Sequence, residues 1–541
     1  MTTVPAPFWI RDAICWQVYP LGFCGAPRHR EDLGGEGYGG ADGENVVHRL
    51  RRLHGWLDHL VGLGANVLLL NPVFDSVSHG YDTLEHRRLD PRLGDEADID
   101  ALIAACHERG IRVVLDGVFN HVSDRHPVAR RAIAAGPGTE DGARIRWSGT
   151  SPYGFEGNAD LIEIDLADAI IQDRVVEIMD RWLARGIDGW RLDAMYAAGP
   201  ESWAPILERV RAAHPEAWIL GEVIHGDYPA FAAASTADSI TQYELWKAIW
   251  SGLRDGNLFE LAHALGRHQE FLDAEGGAHP QTFVGNHDTT RIASQLADGR
   301  DLSAAFALLA LLPGIPTVYA GDEFGATGIK EERAGGDDAI RPWFPGGPDE
   351  VVATASSPDG AAGSEHGAAG PGERSAAGPE HGASGPGERS AAGGPHHLTL
   401  LKPEAAERIL EVHRRLFSLR RREPWLTTAS VHVDEETLEN TWAQIVLAPG
   451  TGVGAAGGGG GAVGGGASEG AGAGAGAEGA GAGDGLGDSA PAPLTLVLNL
   501  GDEPRPAPGE VLEVVSGADM LDGVGPAAPG EVPAHGIAVV R

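Results

Sequence analysis

The sequence predicts an α/β protein, a (β/α)8 TIM barrel that carries an insertion after its third strand and is followed by a C-terminal antiparallel β domain. Three observations predict it. From Ala13 to Ala320, helix-periodic segments alternate with short apolar runs, the pattern of repeated βα units around a parallel sheet. The apolar runs number eight, enough to close a barrel. Polar residues interrupt several of these runs near their C-terminal ends, the mouth at which such barrels collect reactive groups.

The strand candidates, in order, are AICWQVY around Cys15, NVLLLNPVF from Asn66, IRVVLDGVF from Ile111, IDGWRLD from Ile187, AWILGEVI from Ala217, DSITQYEL from Asp238, QTFVGN from Gln281 and GIPTVYAG from Gly314. Between them, VVHRLRRLHGWLDHLVGLG, DIDALIAACHERG and VVEIMDRWLARG repeat apolar residues at helical spacing. These segments end on Gly64, Gly110 and Gly186, which permit a left-handed turn into the next strand. The most apolar run, Ala304 to Ala320, is cut by Pro313, Gly314 and Pro316 into a helix-sized and a strand-sized piece, so it reads as buried core and not as a membrane span.

The eighth helix falls in AAERILEVHRRLFSLRRR, Ala405 to Arg422, which assigns residues 1–422 to the barrel. Between the eighth strand and this helix lies a low-complexity insertion, residues 351–398. In it, EHGAAGPGERSAAGP from Glu365 returns fifteen residues later as EHGASGPGERSAAGG from Glu380. The repeat has almost no large apolar side chains to bury and is expected to be disordered. Residues 423–541 form the β domain, with strands in TWAQIVLA and PLTLVLNL on either side of a Gly-rich segment, 449–493, expected to be a disordered loop. The two segments explain the high glycine count of 79.

A formal net charge of −36 argues against a nucleic-acid partner and against an anionic membrane surface, and suits a neutral substrate. Cys15, Cys24 and Cys106 are odd in number and lack CxxC spacing, so neither a disulfide framework nor a zinc site is expected, and a reducing cytoplasm fits. The opening MTTVPAPFWIRDAICWQVYP lacks the basic start, apolar centre and small-residue cleavage site of a secretory signal. Nothing in the sequence sets an oligomeric state.

In the stretch GIDGWRLDA, Gly186 to Ala194, residues two apart share a face, so Arg191 and Asp193 point to one side and Trp190 and Leu192 to the other. A lone pair of this kind is most simply a structural ion pair. More polar residues accumulate at the same mouth, however. The third strand ends in DGVFNH with Asp116, Asn120 and His121; the fifth has Glu222 in GEVIHG; the seventh ends in FVGNHD with Asn286, His287 and Asp288; and HGYDT after the second supplies Tyr81 and Asp82. Singly, each has an ordinary role as a helix cap, a turn residue or a satisfied buried group. Carboxylates from four strands packed together repel one another at a cost that function can explain.

Three acids with an arginine and two histidines, and no Cys/His ligand cluster, suit cleavage of a glycosidic bond. That reaction needs one ionised carboxylate at the anomeric carbon and one protonated carboxyl for the leaving oxygen. Asp193, two residues from Arg191, is expected to be ionised and to act as nucleophile. Glu222, after the apolar WILG and near other anions, is expected to hold its proton as general acid. Asp288, with His121 and His287, is placed to bind sugar hydroxyls.

These motifs resemble the four ordered regions of the α-amylase family, glycoside hydrolase family 13: DGVFNH, GWRLDA, GEVI and FVGNHD, together with LGANVLLLNPVFDSVSHGYDT and LPGIPTVYAGDEFG. The resemblance implies that Asp193 is the nucleophile, Glu222 the acid/base and Asp288 the third carboxylate. It also implies that Tyr81, Asp82, His121, Arg191 and His287 shape the sugar site, and that Asp116 is a structural member of its region. It implies retaining chemistry through a covalent β-glucosyl enzyme, with the Asp193 and Glu222 carboxyls about 5 Å apart.

Val122 to Asp165 is short for the family's domain B, which suggests an open cleft suited to oligosaccharides. MYAAG follows the nucleophile where secreted starch-degrading relatives carry a Lys-His pair, so one usual calcium contact is missing, while Asn120 resembles another calcium ligand. No cofactor is required, and a structural calcium is allowed but not expected. The path to the first strand has no room for the β-sandwich module of relatives that dimerise around cyclodextrins. The expected substrate is an α-1,4-linked malto-oligosaccharide or a glycogen-like glucan. A transglycosylase or isomerase, for example one interconverting maltose and trehalose, uses the same intermediate and is the alternative. A catalytically inactive carbohydrate-binding member is disfavoured by the presence of Asp193, Glu222 and Asp288.

Overall fold

The computed structural model describes residues 6–29, 46–274, 277–333, 335–355, 396–450, 491–525 and 527–541. Eight parallel strands close into a barrel: β1 Cys15–Val18, β2 Val67–Leu70, β3 Arg112–Gly117, β4 Gly189–Leu192, β5 Trp218–Gly221, β6 Ser239–Thr241, β7 His279–Phe283 and β8 Ile315–Tyr319. Each strand pairs with its neighbours in sequence, and β8 returns to β1 through Cys15 opposite Thr317. Seven lie within the runs that predicted them, and β7 begins two residues before its run, at His279 instead of Gln281.

The barrel interior is layered. Cys15, Val67, Leu69, Val114, Trp218, Leu220 and Ile315 form an apolar floor, closed below by Ile10 and Ala13. Side chains of the opposite parity, among them Trp16, Leu68, Val113, Trp190 and Ile219, face outward into the shell under the helices. One or two steps along the inward parity, the side chains turn polar, and this upper layer is the candidate site. Trp190 and Leu192 sit in the outer shell, as alternation requires.

The helix Ala169–Arg185 shows how a connection is built. Asp168 caps its start by accepting from the backbone N–H groups of Ile170 and Ile171, and Gly186 ends it in the left-handed conformation at φ 116°. The predicted helix from Val46 to Gly64 differs. It runs as a 3-10 helix, Arg49–Trp56, before the short α-helix Leu57–Gly62. At Gly55 the chain lies so close to the Gly346 carbonyl that a Cβ would sit 2.5 Å from its oxygen.

The apolar run Ala304 to Ala320 divides as expected into the helix Leu302–Leu311, buried along its whole length, and β8. Among the described residues, no helix is long and apolar enough to cross a membrane. After β3, the strand His121–Ser123 pairs antiparallel with Leu161–Glu163, and the helix Pro127–Ala135 lies between them in sequence.

Most of the insertion predicted at 351–398 lies outside the described residues, but its two ends are ordered, contrary to that expectation. The helix Pro348–Ala355 includes the buried Val351. At the other end His397 bridges to Trp343, and the Trp343 N–H donates to the His396 carbonyl at 2.7 Å. These ends carry large side chains, Val351 and His397, of a kind rare in the Gly/Pro-rich repeat.

The C-terminal domain is a five-stranded antiparallel sheet of β9 Ser430–Val433, β10 Trp442–Ala448, β11 Leu494–Asn499, β12 Val511–Ser516 and β13 Gly536–Val540, in the order β9-β10-β11-β13-β12. Strands β10 and β11 pair from Trp442 opposite Asn499 to Leu447 opposite Leu494. The Gly-rich segment predicted at 449–493 lies between them, and its residues 451–490 are outside the described set.

Arg420, on the helix Ala406–Arg422, is buried without a carboxylate partner. Its Nη1 donates to the carbonyls of Ala310 and Leu312 at 2.9 Å each, and its Nη2 donates to the Gly314 carbonyl and Thr427 Oγ1. The Ala310, Leu312 and Gly314 carbonyls lie in and just past the last turn of Leu302–Leu311, where helix carbonyls have no partner within the helix and a cation is favourable. Arg420→Met strands them in a dry environment. We expect the unfolding free energy from urea titration to fall by about 3 kcal/mol, with the native near-UV circular dichroism unchanged.

Candidate active site

Strand register begins the site. Arg191 on β4 lies directly opposite Asp116 on β3, and Asp193 and Glu222 each stand one residue past the ends of β4 and β5, after Leu192 and Gly221, at the same rim. The Arg191 guanidinium then gathers all three acids. Its Nη1 donates to both Asp116 oxygens at 2.8 Å and to Asp193 Oδ1 at 2.9 Å, while Nη2 reaches Glu222 Oε1 at 2.6 Å. All four side chains are almost fully buried.

Asp116 also accepts from Asn71 Nδ2 at 3.0 Å and from the Tyr81 hydroxyl at 3.1 Å. Tyr81 stacks on His287, with ring centroids 5.5 Å apart, and its hydroxyl meets His287 Nε2. The amide of Gln17 lies 3.0 Å from His287 Nδ1. Asp288 stands across the mouth, its side chain 31% exposed, with Oδ2 2.8 Å from His287 Nε2 and Oδ1 accepting from Arg341 Nη2 at 2.7 Å.

The electrostatics correct one expectation. Burial pushes the Asp193 carboxyl well above the usual carboxylate range; Glu222, Asp116 and Asp288 add to the shift, and Arg191 opposes it. Proximity to an arginine predicts an ionised Asp193, but that single cation is divided among three acids, so the cluster favours keeping a proton. Asp288 goes the other way. Burial alone would raise it, yet His287, Arg341 and Arg191 outweigh burial and hold it well below the ordinary range. Burial lowers His121 to about 3, so its ring is neutral at neutral pH.

His121 stacks on Phe155 at 4.2 Å, and neither ring nitrogen makes a well-formed hydrogen bond; the Tyr81 backbone lies near enough to act on it electrostatically. Asp82 is the predicted sugar-site residue least joined to the rest. Its two oxygens accept from the backbone N–H and hydroxyl of Ser78, which fixes the turn that presents Tyr81. Asn120 is buried with its amide nitrogen unpaired. Among the described residues, the one group of three His, Cys, Asp or Glu side chains close enough to share an ion is His48, Asp95 and Asp98, which is remote in sequence from Asn120. Asp98 is already engaged there by Arg51 and His48.

Four contributors escaped the sequence reading: Gln17, Asn71, Tyr243 and Arg341. Gln17 and Asn71 carry the signal that drew attention to Arg191, a polar residue of inward parity in an apolar run. Tyr243 was read as strand in DSITQYEL, but it opens the helix Tyr243–Arg254 and donates to Glu222 Oε1 at 3.0 Å. Arg341 lies in irregular chain after β8, where no periodic pattern exists to flag it.

The family model "Alpha amylase, catalytic domain" matches residues 44–143 and 153–346, more than half of the chain. The chain belongs to the α-amylase catalytic-domain family. Among curated proteins it is 29% identical over 344 residues to a cyclomaltodextrinase from a Bacillus species, covering 60% of this chain and 61% of that protein. It is 28% identical over 356 residues to a maltogenic alpha-amylase of Bacillus acidopullulyticus, covering 60% and 58%. The chain thus spans about six-tenths of the length of these relatives. Among solved structures, a cyclic α-maltosyl-(1→6)-maltose hydrolase of Arthrobacter globiformis superimposes with a TM-score of 0.65 at 21% identity, covering 99% of each chain. A debranching enzyme of Nostoc punctiforme gives 0.66 at 21% identity, covering 99% of this chain and 100% of the other. At that identity the likeness speaks for the fold.

In this α-amylase-family chain, Arg191→Met removes the one cation shared by three buried acids. We expect about 4 kcal/mol lower stability at pH 7. Without the cation the folded-state carboxyls bind protons more readily than unfolded ones, so the deficit, read from paired urea titrations, shrinks as pH falls from 7 to 5.

Proposed function

We propose that the protein is a retaining glycosidase that cleaves α-1,4-glucosidic bonds of malto-oligosaccharides or glycogen-like glucans. One observation carries the reading: Asp193 and Glu222 sit on opposite amino groups of a single guanidinium, with Asp288 facing them across the same mouth. In the first step Asp193 attacks the anomeric carbon as the bond to the leaving oxygen breaks, and Glu222 delivers its proton to that oxygen. In the second, Glu222 takes a proton from water, and the hydroxide oxygen replaces Asp193. The cluster's tendency to retain a proton supplies the acid form. Once the glucosyl bond forms, Asp193 no longer competes for Arg191.

Asp288, held ionised by Arg341 and His287, accepts hydroxyl protons of the sugar ring and favours its distortion toward the transition state. His121 offers neutral ring nitrogens, and Tyr81 offers a ring face and a hydroxyl. Asp82 acts here by holding the Tyr81 turn. The names of the relatives, a cyclomaltodextrinase and a maltogenic alpha-amylase, support an α-glucan substrate. Water and sugar compete for the same intermediate, so transglycosylation or isomerisation differs only in the acceptor. The chemistry calls for no cofactor. We place its action in the cytoplasm, since Cys15, Cys24 and Cys106 are buried free thiols and one relative is named an intracellular maltogenic amylase.

Incubation with maltoheptaose is expected to raise reducing ends with α-configured products by proton NMR. Bond rearrangement without new reducing ends would favour the transglycosylase, and β-configured products would exclude retention. Asp193→Asn and Glu222→Gln should each lose at least about 1,000-fold in kcat on this substrate. Dialysis against a calcium chelator should leave both activity and Tm unchanged; a fall in Tm reversed by calcium would support Asn120 as a metal ligand.

A further inference from the structure

The hydrogen bonds around Glu222 determine which of its oxygens can carry a proton. The sequence of donors starts at the tip of β7, where the backbone N–H of Asp288 donates to the side-chain oxygen of Asn286 at 2.9 Å. A backbone N–H can only donate, so the acceptor must be the amide oxygen, and the orientation of the Asn286 amide is fixed. Its nitrogen therefore faces the Tyr243 hydroxyl, 3.0 Å away, and donates to it. With its oxygen accepting there, the Tyr243 hydroxyl turns its own hydrogen to Glu222 Oε1, 3.0 Å away.

Oε1 also lies 2.6 Å from Arg191 Nη2 in an ion pair, so a hydroxyl donor and a full positive charge both face this oxygen. Oε2 accepts once, from the backbone N–H of Ala194 at 2.9 Å. That N–H is aimed by an unusual backbone: Ala194 holds φ at 44°, a left-handed value that costs a non-glycine residue free energy. Tyr243 itself is fixed, buried edge-on against Phe283 with ring centroids 5.0 Å apart. Burial, reinforced by Glu222 and Asp288, pushes its phenol well above the usual range, so it remains a donor.

We infer that Tyr243 is a positioning residue that, together with Arg191, closes Oε1 of Glu222 to protons and confines the transferable proton to the remaining lone pair of Oε2. This rests on the glycosidase reading and deepens it by naming the atom that protonates the leaving oxygen. When the bond from the anomeric carbon breaks, its electron pair passes to the leaving oxygen, the Oε2 proton follows, and the carboxylate left behind is already held by Tyr243, Arg191 and the Ala194 N–H. Asp288, held ionised by His287 and Arg341, is an acceptor and cannot replace Tyr243 in this role.

The test uses the full-length protein and two substrates that differ in their need for an acid. The leaving group of 4-nitrophenyl α-maltoside departs as a stable anion, whereas that of maltotriose requires a proton. Tyr243→Phe keeps the ring and removes the donor. It is expected to lose about 30-fold in kcat on maltotriose and no more than about 3-fold on the aryl maltoside, with KM little changed on either. Asn286→Ala removes the group that orients the Tyr243 hydroxyl and should give the same pattern at smaller amplitude, which decides the matter if Tyr243→Phe proves unfolded by thermal melting. Equal losses on both substrates, or none on either, would overturn the inference. Wild-type protein inert toward both would instead overturn the glycosidase reading.

Discussion

One guanidinium holds three carboxylates from three adjacent strands at the mouth of the barrel, and the geometry of the rest of the site follows from that sharing. Alone, Asp116, Asp193 and Glu222 would repel one another in a place nearly closed to water. With Arg191 among them, one cation faces three carboxylates and two negative charges stay unbalanced, which favours a bound proton. An acid that must donate a proton near neutral pH gains from such an environment. The cost falls on stability, and the polar layer above an apolar floor shows where the fold accommodates it.

The floor makes that layer possible. Because alternate residues of a strand face opposite sides, each barrel strand can give its outward side chains to the helix shell and its inward ones to the interior without conflict. Low in the barrel the inward set is apolar, from Cys15 to Ile315. Higher up it becomes Gln17, Asn71, Asp116 and Arg191. The lower layer buries enough apolar surface to seal the barrel, so the upper one is free to be chosen for chemistry.

The eight strands and the catalytic acids were legible because both are written in short-range patterns. Parity two placed Arg191 beside Asp193, and strand ends marked Glu222 and Asp288. What stayed hidden depends on contacts far apart in sequence. Nothing near Asp193 tells that Arg191 is divided three ways, so the upward shift of its carboxyl is not legible from the sequence. Tyr243 follows two polar-flanked β-prone residues and reads as strand, yet its role is set by Asn286 and Glu222, both distant in the chain. Arg341 stands in irregular chain. The edges of the low-complexity insertion were misjudged for a similar reason: Val351 and His397 are ordered by Trp343 and the barrel, not by their own composition.

Strands β10 and β11 are held side by side from Trp442 to Leu447 and from Leu494 to Asn499, so the sheet has already settled the distance between the two points where the glycine-rich stretch leaves and returns. The entropy of closing such a stretch grows only with the logarithm of its length, roughly 0.6 kcal/mol for each doubling. Forty glycine-dominated residues therefore weigh on folding little more than twenty would. A lineage can lengthen, shorten or replace this connection at small thermodynamic expense.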